Sequence, residues 1–214
     1  MLDFEKYTHV IWDWNGTILN DAELCFAIVN EMLAAEGREA LPIEEHREIF
    51  EFPVQKYYEK LGYQFQGGEG FNEISRQFID AYVSRVSECA LNPGIENCLK
   101  QFDEIDMSQV ILSATLLEQL LRIIPKHNIS HYFEEVMALD HARAHGKLEI
   151  GRTWMAECSH SPENTLLIGD TLHDFEVAEA LGADCLLVAS GQQSRERLET
   201  ADIKVVDSID EIWG

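Results

Sequence analysis

The chain has 214 residues, enough for one large domain or for a core carrying a smaller insertion. It carries 16 Lys and Arg against 39 Asp and Glu, a formal net charge of −23. That balance excludes non-specific nucleic-acid binding and attraction to anionic membrane surfaces, and an anionic substrate would need a local cation to be drawn in. Five cysteines, odd in number and without CxxC spacing, indicate neither a disulfide framework nor a zinc site. The N-terminus does not read as a signal peptide and no apolar stretch approaches membrane-spanning length, so a soluble cytoplasmic protein is expected.

Residues 8–13 read as a buried strand that ends at Asp13, followed by the turn dipeptide Asn15-Gly16 and by Thr17. Leu24, Ile28, Met32 and Ala35 then share one helical face, and Gly37 marks the end of that helix. Further helices are expected around 43–50, 53–61, 71–87 and 94–102, with Gly67 to Gly70 as a loop and no convincing strand from Asp21 to Leu91. The rest alternates. Strands are expected at 109–113, 135–139, 165–169, 185–188 and 204–206, and helices at 115–126, 148–158 and 174–181. Such alternation of apolar strands and helices means an α/β fold built on a doubly wound parallel sheet. The expected division is a core of residues 1–19 and 92–214 with a small all-helical cap of residues 20–91.

Parallel strands bring their carboxyl ends to one edge, so Asp13, Ser113 and Asp170 can converge there. Lys147, at the start of a helix, is the only lysine between Lys126 and Lys204. Two carboxylates, a hydroxyl and an ammonium around one point suit a divalent cation and a phosphoryl group.

Four stretches in this order, Asp13-Trp14-Asn15-Gly16-Thr17, Ser113, Lys147 and Gly169 to Asp174, resemble the four motifs of the haloacid dehalogenase superfamily. The chain is most similar to the phosphatases of that family with a helical cap, the phosphoglycolate phosphatase-like branch. The resemblance implies a Rossmann-like core, Mg²⁺ as cofactor, and a small phosphorylated metabolite as substrate. It implies Asp13 as the nucleophile that forms an aspartyl-phosphate. Asp13, the backbone carbonyl of Asn15 and Asp170 would hold Mg²⁺, and Thr17 belongs to the first motif. Ser113 and Lys147 would donate to phosphoryl oxygens, with Gly16 and Ala114 beside them in the substrate site. Asp174 would position Lys147 or a water. A monomer or weak homodimer is expected.

One position departs from the family pattern, which has a second Asp as general acid and base where this chain has Asn15. An amide cannot shuttle a proton near neutral pH, and such help is worth roughly 10²–10⁴-fold. On this reading Asn15→Asp is expected to speed hydrolysis of alkyl phosphates. His173 is the nearest substitute, although a helix-start His on the surface is the blander reading. His141 and His145 have the spacing of a zinc pair without a third ligand. In the cap, Arg47, Lys56 or the tyrosines could face the substrate, or the aromatics could simply form the cap's core. Two other readings stay open: a related hydrolase, mutase or phosphonate hydrolase, and a catalytically weakened protein that binds phosphate ligands or partners.

Overall fold

His9–Trp12 forms β1, four consecutive residues all buried, as an apolar run in a sheet covered on both faces requires. In the computed structural model, which describes residues 4–65, 68–140 and 146–213, four helices follow in succession. These are α1 (Ala22–Ala35), α2 (Ile43–Ile49), α3 (Val54–Lys60) and α4 (Gly68–Arg85). Then come α5 (Ile95–Glu104), β2 (Ser108–Leu116), α6 (Leu117–Ile123), β3 (Glu135–Leu139) and α7 (Lys147–Glu157). β4 (Thr165–Gly169), α8 (Leu172–Leu181), β5 (Asp184–Val188), α9 (Arg195–Leu198) and β6 (Val205–Val206) complete the order.

The six strands form one sheet in the order β3-β2-β1-β4-β5-β6, and every pairing is parallel. The chain builds outward from β1 through β2 to β3, then returns to the other side of β1 with β4. The topological switch point therefore lies between β1 and β4, the place where open α/β sheets bind ligands. Register fixes what stands there: Trp12 is level with Ile168, and Asp13 N–H donates to the Ile168 carbonyl at 2.9 Å. Asp13 and Asp170 thus leave adjacent strands at the same edge.

Alternation along the strands sorts the core into two layers. Val10, Trp12, Ile111, Leu166 and Ile168 pack on one face with Leu99 and Phe102 of α5. Ile11, Val110, Leu112 and Leu167 pack on the other with Val177, Ala178 and Leu181 of α8. A third apolar cluster, including Phe26, Leu33, Phe50, Tyr57, Tyr58 and Leu61, lies within the helical block. The two connections to that block run side by side: Asn20 N–H donates to Ala90 O and Asn92 N–H to Ile18 O, each at 2.9 Å. The Asn92 amide also donates to Gly16 O and Thr17 O, both at 2.8 Å, tying the end of the helical block to the loop after β1.

Three details differ from the sequence-based expectation. β2 continues to Leu116 because Leu116 still finds a partner, Leu139 on β3, across an irregularity between Leu112 and Leu116. Ser113 is therefore inside the strand, in the stretch where regular pairing with β3 lapses, and α6 begins two residues later than expected. α4 starts at Gly68, where a glycine loop was expected (Gly67 lies outside the described residues). The first turn of a helix makes the fewest backbone bonds, so glycine is tolerated there. The four-residue α9, too short to show periodicity, was not expected; Ser194 caps it, its hydroxyl accepting from Arg197 N–H at 3.3 Å. Among the described residues no helix is long and apolar enough to cross a membrane.

Candidate active site

Lys147 is the first residue of α7 and is buried with Asp13 and Asp174. Its ammonium donates to Asp13 Oδ1 and, at 2.5 Å, to Asp174 Oδ1. Thr171 is the N-cap of α8, and its N–H and hydroxyl donate to Asp174 Oδ2 at 3.0 and 2.7 Å. The helix cap is thus Thr171 and not Asp170, and Asp174 serves as both capping-box partner and seat for Lys147. Asp170 accepts from Thr17 Oγ1 at 3.2 Å and from Gln192 N–H at 2.6 Å. Ligand oxygens of Asp13, Asp170 and Asp174 all lie within 4.8 Å of one another.

Three carboxylates against one ammonium leave negative charge in a place with little water to screen it. Burial pushes the Asp13 carboxyl up to about 7; Lys147 opposes that rise, and Asp174 adds to it. Burial, then the charges of Asp13 and Asp174, also hold Asp170 well above the usual carboxylate range. Burial works in the same direction on Asp174, but the Lys147 ammonium and the Thr171 hydrogen bond together hold that carboxyl low. A divalent cation beside Asp13 and Asp170 would supply the missing positive charge, and the hard oxygen donors suit Mg²⁺ chemistry. The donor set fits such an ion.

Close approach at this edge depends on missing side chains. A Cβ at Gly16 would stand 2.2 Å from Asp170 Oδ2, and Gly16 has a φ of 74°, so both space and backbone demand glycine. A Cβ at Gly191 would meet the same carboxylate at 2.1 Å. Gly16 N–H already donates to Asp21 Oδ1 and Leu19 O, at 2.8 and 3.0 Å, so it is not the donor that a bound phosphoryl group would use. Ser113 is fully buried, and its hydroxyl accepts from Thr115 N–H at 3.0 Å. A small cavity of about 40 Å³ opens at the acidic cluster, lined by Asp13, Asn15, Ala114, Lys147, Asp170 and His173 among others. His141 and His145 lie outside the described residues.

Asn15 is where the structure changes the sequence-based picture most. Its amide donates to Asp21 Oδ2 at 2.6 Å and to the Tyr82 hydroxyl of α4 at 2.7 Å. Its carbonyl oxygen accepts from the Thr115 hydroxyl at 2.6 Å, and Tyr82 in turn donates to Asp21 Oδ2 at 2.5 Å. Asp21 is completely buried, and burial raises its pKa despite those donors. The Asn15 side chain therefore ties the loop after β1 to α4 and β2. Asp21, Tyr82, Thr115 and Gln192 were not among the expected site residues. Tyr82 and Thr115 are reached only by folding, while Asp21, six residues after Asn15, carried the one available signal: an acidic residue at a helix start.

Of the cations in the helical block, Arg47 donates to Gly191 O at 2.9 Å and Ser190 O at 3.2 Å, and exposed Lys56 pairs with Glu51 at 3.6 Å. Neither lines the acidic cavity or the larger one beside it. That larger cavity, about 490 Å³, lies between the helical block and the sheet edge and shares Asn15, Phe52, Ala114 and Gln192 with the acidic one. Tyr57, Tyr58 and Tyr82 do face it, so the aromatics are at once packing for the helical block and wall for this space.

The profile of the haloacid dehalogenase-like hydrolases matches residues 10–188. A phosphoglycolate phosphatase from Caulobacter vibrioides is 25% identical over 211 residues, 94% of this chain and 87% of its own. Among solved structures, a predicted phosphatase from Clostridium acetobutylicum superposes with a TM-score of 0.79 at 19% identity, covering 96% of each chain. CbbY from Rhodobacter sphaeroides, solved in complex with phosphate, superposes with a TM-score of 0.71 at 24% identity, again over 96% of each chain. Both neighbours share the fold, and the family match spans most of the residues from β1 to β5. The chain belongs to the haloacid dehalogenase-like hydrolase family.

Proposed function

We propose that this hydrolase is a Mg²⁺-dependent phosphatase of small phosphorylated metabolites that works through an aspartyl-phosphate on Asp13. The observation that carries the reading is Asp13 at the switch point, with Lys147 on one of its oxygens and Asp170 alongside. The phosphatase names of its relatives and the phosphate held by the CbbY neighbour support it.

Asp13 Oδ2 would attack phosphorus as the bond to the leaving oxygen breaks, and the departing alkoxide would take up a proton. Water would then attack the aspartyl-phosphate, releasing inorganic phosphate and restoring the carboxylate. Lys147 steadies Asp13 and places positive charge where the phosphoryl oxygens gain negative charge. Asp13, Asp170 and the backbone carbonyl of Asn15 would hold Mg²⁺, which when bound supplies charge neutralisation at the phosphoryl group. Asp174, committed to Lys147 and Thr171, would orient the lysine. Asn15 supplies no proton, and His173, the histidine among the described residues that line the acidic cavity, would supply it. Residues 20–91 would act as a cap over the core of 1–19 and 92–214, closing on the site through the paired connections at Ile18–Asn20 and Ala90–Asn92 and excluding water.

The test is phosphate release from nitrophenyl phosphate by chelator-treated protein, with and without added Mg²⁺. The expected result is turnover only with the metal. No release with any divalent ion would remove the phosphatase reading.

A further inference from the structure

We propose that the ester this site accepts carries an apolar alcohol, an aryl or medium-length alkyl group, which sits in the cavity beside the acidic cluster. The proposal rests on the phosphatase reading above and names the substrate class.

The cavity adjoins the place where a phosphoryl group would sit, because Asn15, Phe52, Ala114 and Gln192 belong to both spaces. A leaving group on a phosphoryl at Asp13 therefore has a direct way in. Among the described residues no Lys, Arg, His, Asp or Glu lines it. A second phosphate or a carboxylate on the substrate would find no counter-charge there, in a chain whose net charge of −23 already repels anions.

Four of the polar side chains in the wall, Asn15, Tyr57, Tyr82 and Thr115, are turned to partners within the protein. The Tyr57 hydroxyl is 2.6 Å from His46 Nδ1, Tyr82 donates to Asp21, and Thr115 donates to Asn15. What remains facing the space is chiefly carbon: Phe26, Val29, Phe78 and Ile79 from the helical block, Leu116 and Leu139 from the sheet edge. A sugar would lose hydrogen bonds to water and regain few here, whereas an apolar group would lose none. Size agrees. A cavity of about 150 Å³ holds benzene, so about 490 Å³ admits a two-ring aryl group or an extended alkyl chain.

A homologous series of n-alkyl phosphates, from ethyl to octyl, isolates the effect, because leaving-group basicity is nearly constant along it. With Mg²⁺, kcat/KM should rise roughly two- to fourfold per methylene, the increment of burying one CH₂, until the cavity is filled. Ile79 is partly exposed on α4, so Ile79→Glu can be made without disturbing the core. It should flatten the series by placing a carboxylate in the wall.

Hydrolysis of the short esters with a flat or falling series would overturn the apolar site and leave the phosphatase reading intact. If no n-alkyl ester is hydrolysed, nitrophenyl phosphate still tests the phosphatase reading, and binding of the matching n-alkylphosphonates with Mg²⁺ by calorimetry decides the cavity's role. Affinity that climbs with chain length in the wild type and not in Ile79→Glu supports it. Affinity independent of length overturns it.

Discussion

Asn15 donates to one carboxylate and accepts from one hydroxyl, and an amide does both at once. The Asn15→Asp substitution that sequence reasoning favours would set a carboxylate against buried Asp21 and leave Tyr82 and Asp21 each short of a donor. The expected outcome is the reverse of a rescue. Stability should fall by roughly 1–3 kcal/mol, the cost of unpaired buried polar groups, with no faster hydrolysis of alkyl phosphates. Combining Asn15→Asp with Asp21→Asn returns a donor–acceptor pair and should recover most of the loss; urea unfolding of the three proteins checks this. An Asn15→Asp protein as stable as wild type and faster on alkyl phosphates would show that the network is not what fixes this residue. Asp13, Lys147, Asp170 and Asp174 could be picked out from sequence because each is an ionisable residue at a strand end or helix start. The direction of the Asn15 side chain could not be, since its partners are six, 67 and 100 positions away and only the fold brings them near.

Among the elements, α2 is held to the sheet edge by a small set of polar contacts. Arg47 donates to Ser190 O and Gly191 O, Gln193 Nε2 to Phe50 O at 2.8 Å, and Arg197 to Glu48 O at 2.8 Å. The segment that receives Arg47 is also the one whose Gln192 N–H holds Asp170. Arg47→Ala should therefore free α2 and loosen the Asp170 seat together. We expect a loss of roughly tenfold in kcat/KM, the scale of about one to two hydrogen bonds, with global stability changed by no more than about 1 kcal/mol. Amide exchange in α2 should quicken in the same variant; unchanged exchange would mean that Arg47 is not a latch. The helices of the block were readable from their periodicity. The latch was not, because backbone carbonyls that accept from an arginine leave no mark in sequence. The extension of β2 was hidden for a related reason: its end is set by whether β3 still offers a partner.

The whole molecule joins a parallel sheet, the product of strand–helix alternation, to a negative charge that the acidic edge concentrates. A parallel α/β core was legible because buried strands write continuous apolar runs. The strand order, and with it the switch point between β1 and β4, became visible only in the structure. Crowding of Asp13, Asp170 and Asp174 predicts that Mg²⁺ raises the melting temperature by more than an equal ionic strength of NaCl, since an ion bound only by the folded state stabilises it. Asp170→Ala should lose that specific increment and keep the general gain from screening a net charge of −23. An identical response to Mg²⁺ in both proteins would place the ion elsewhere. The role of Asp13 as nucleophile is tested by rapid quenching during turnover of an aryl phosphate with Mg²⁺, followed by peptide mapping for a covalent phosphoryl group. The expected result is a phosphoryl group on Asp13 in the wild type, and in Asp13→Asn a folded protein that neither acquires one nor releases phosphate. Undiminished, Mg²⁺-dependent release by Asp13→Asn, with its amide shown intact by mass, would contradict it.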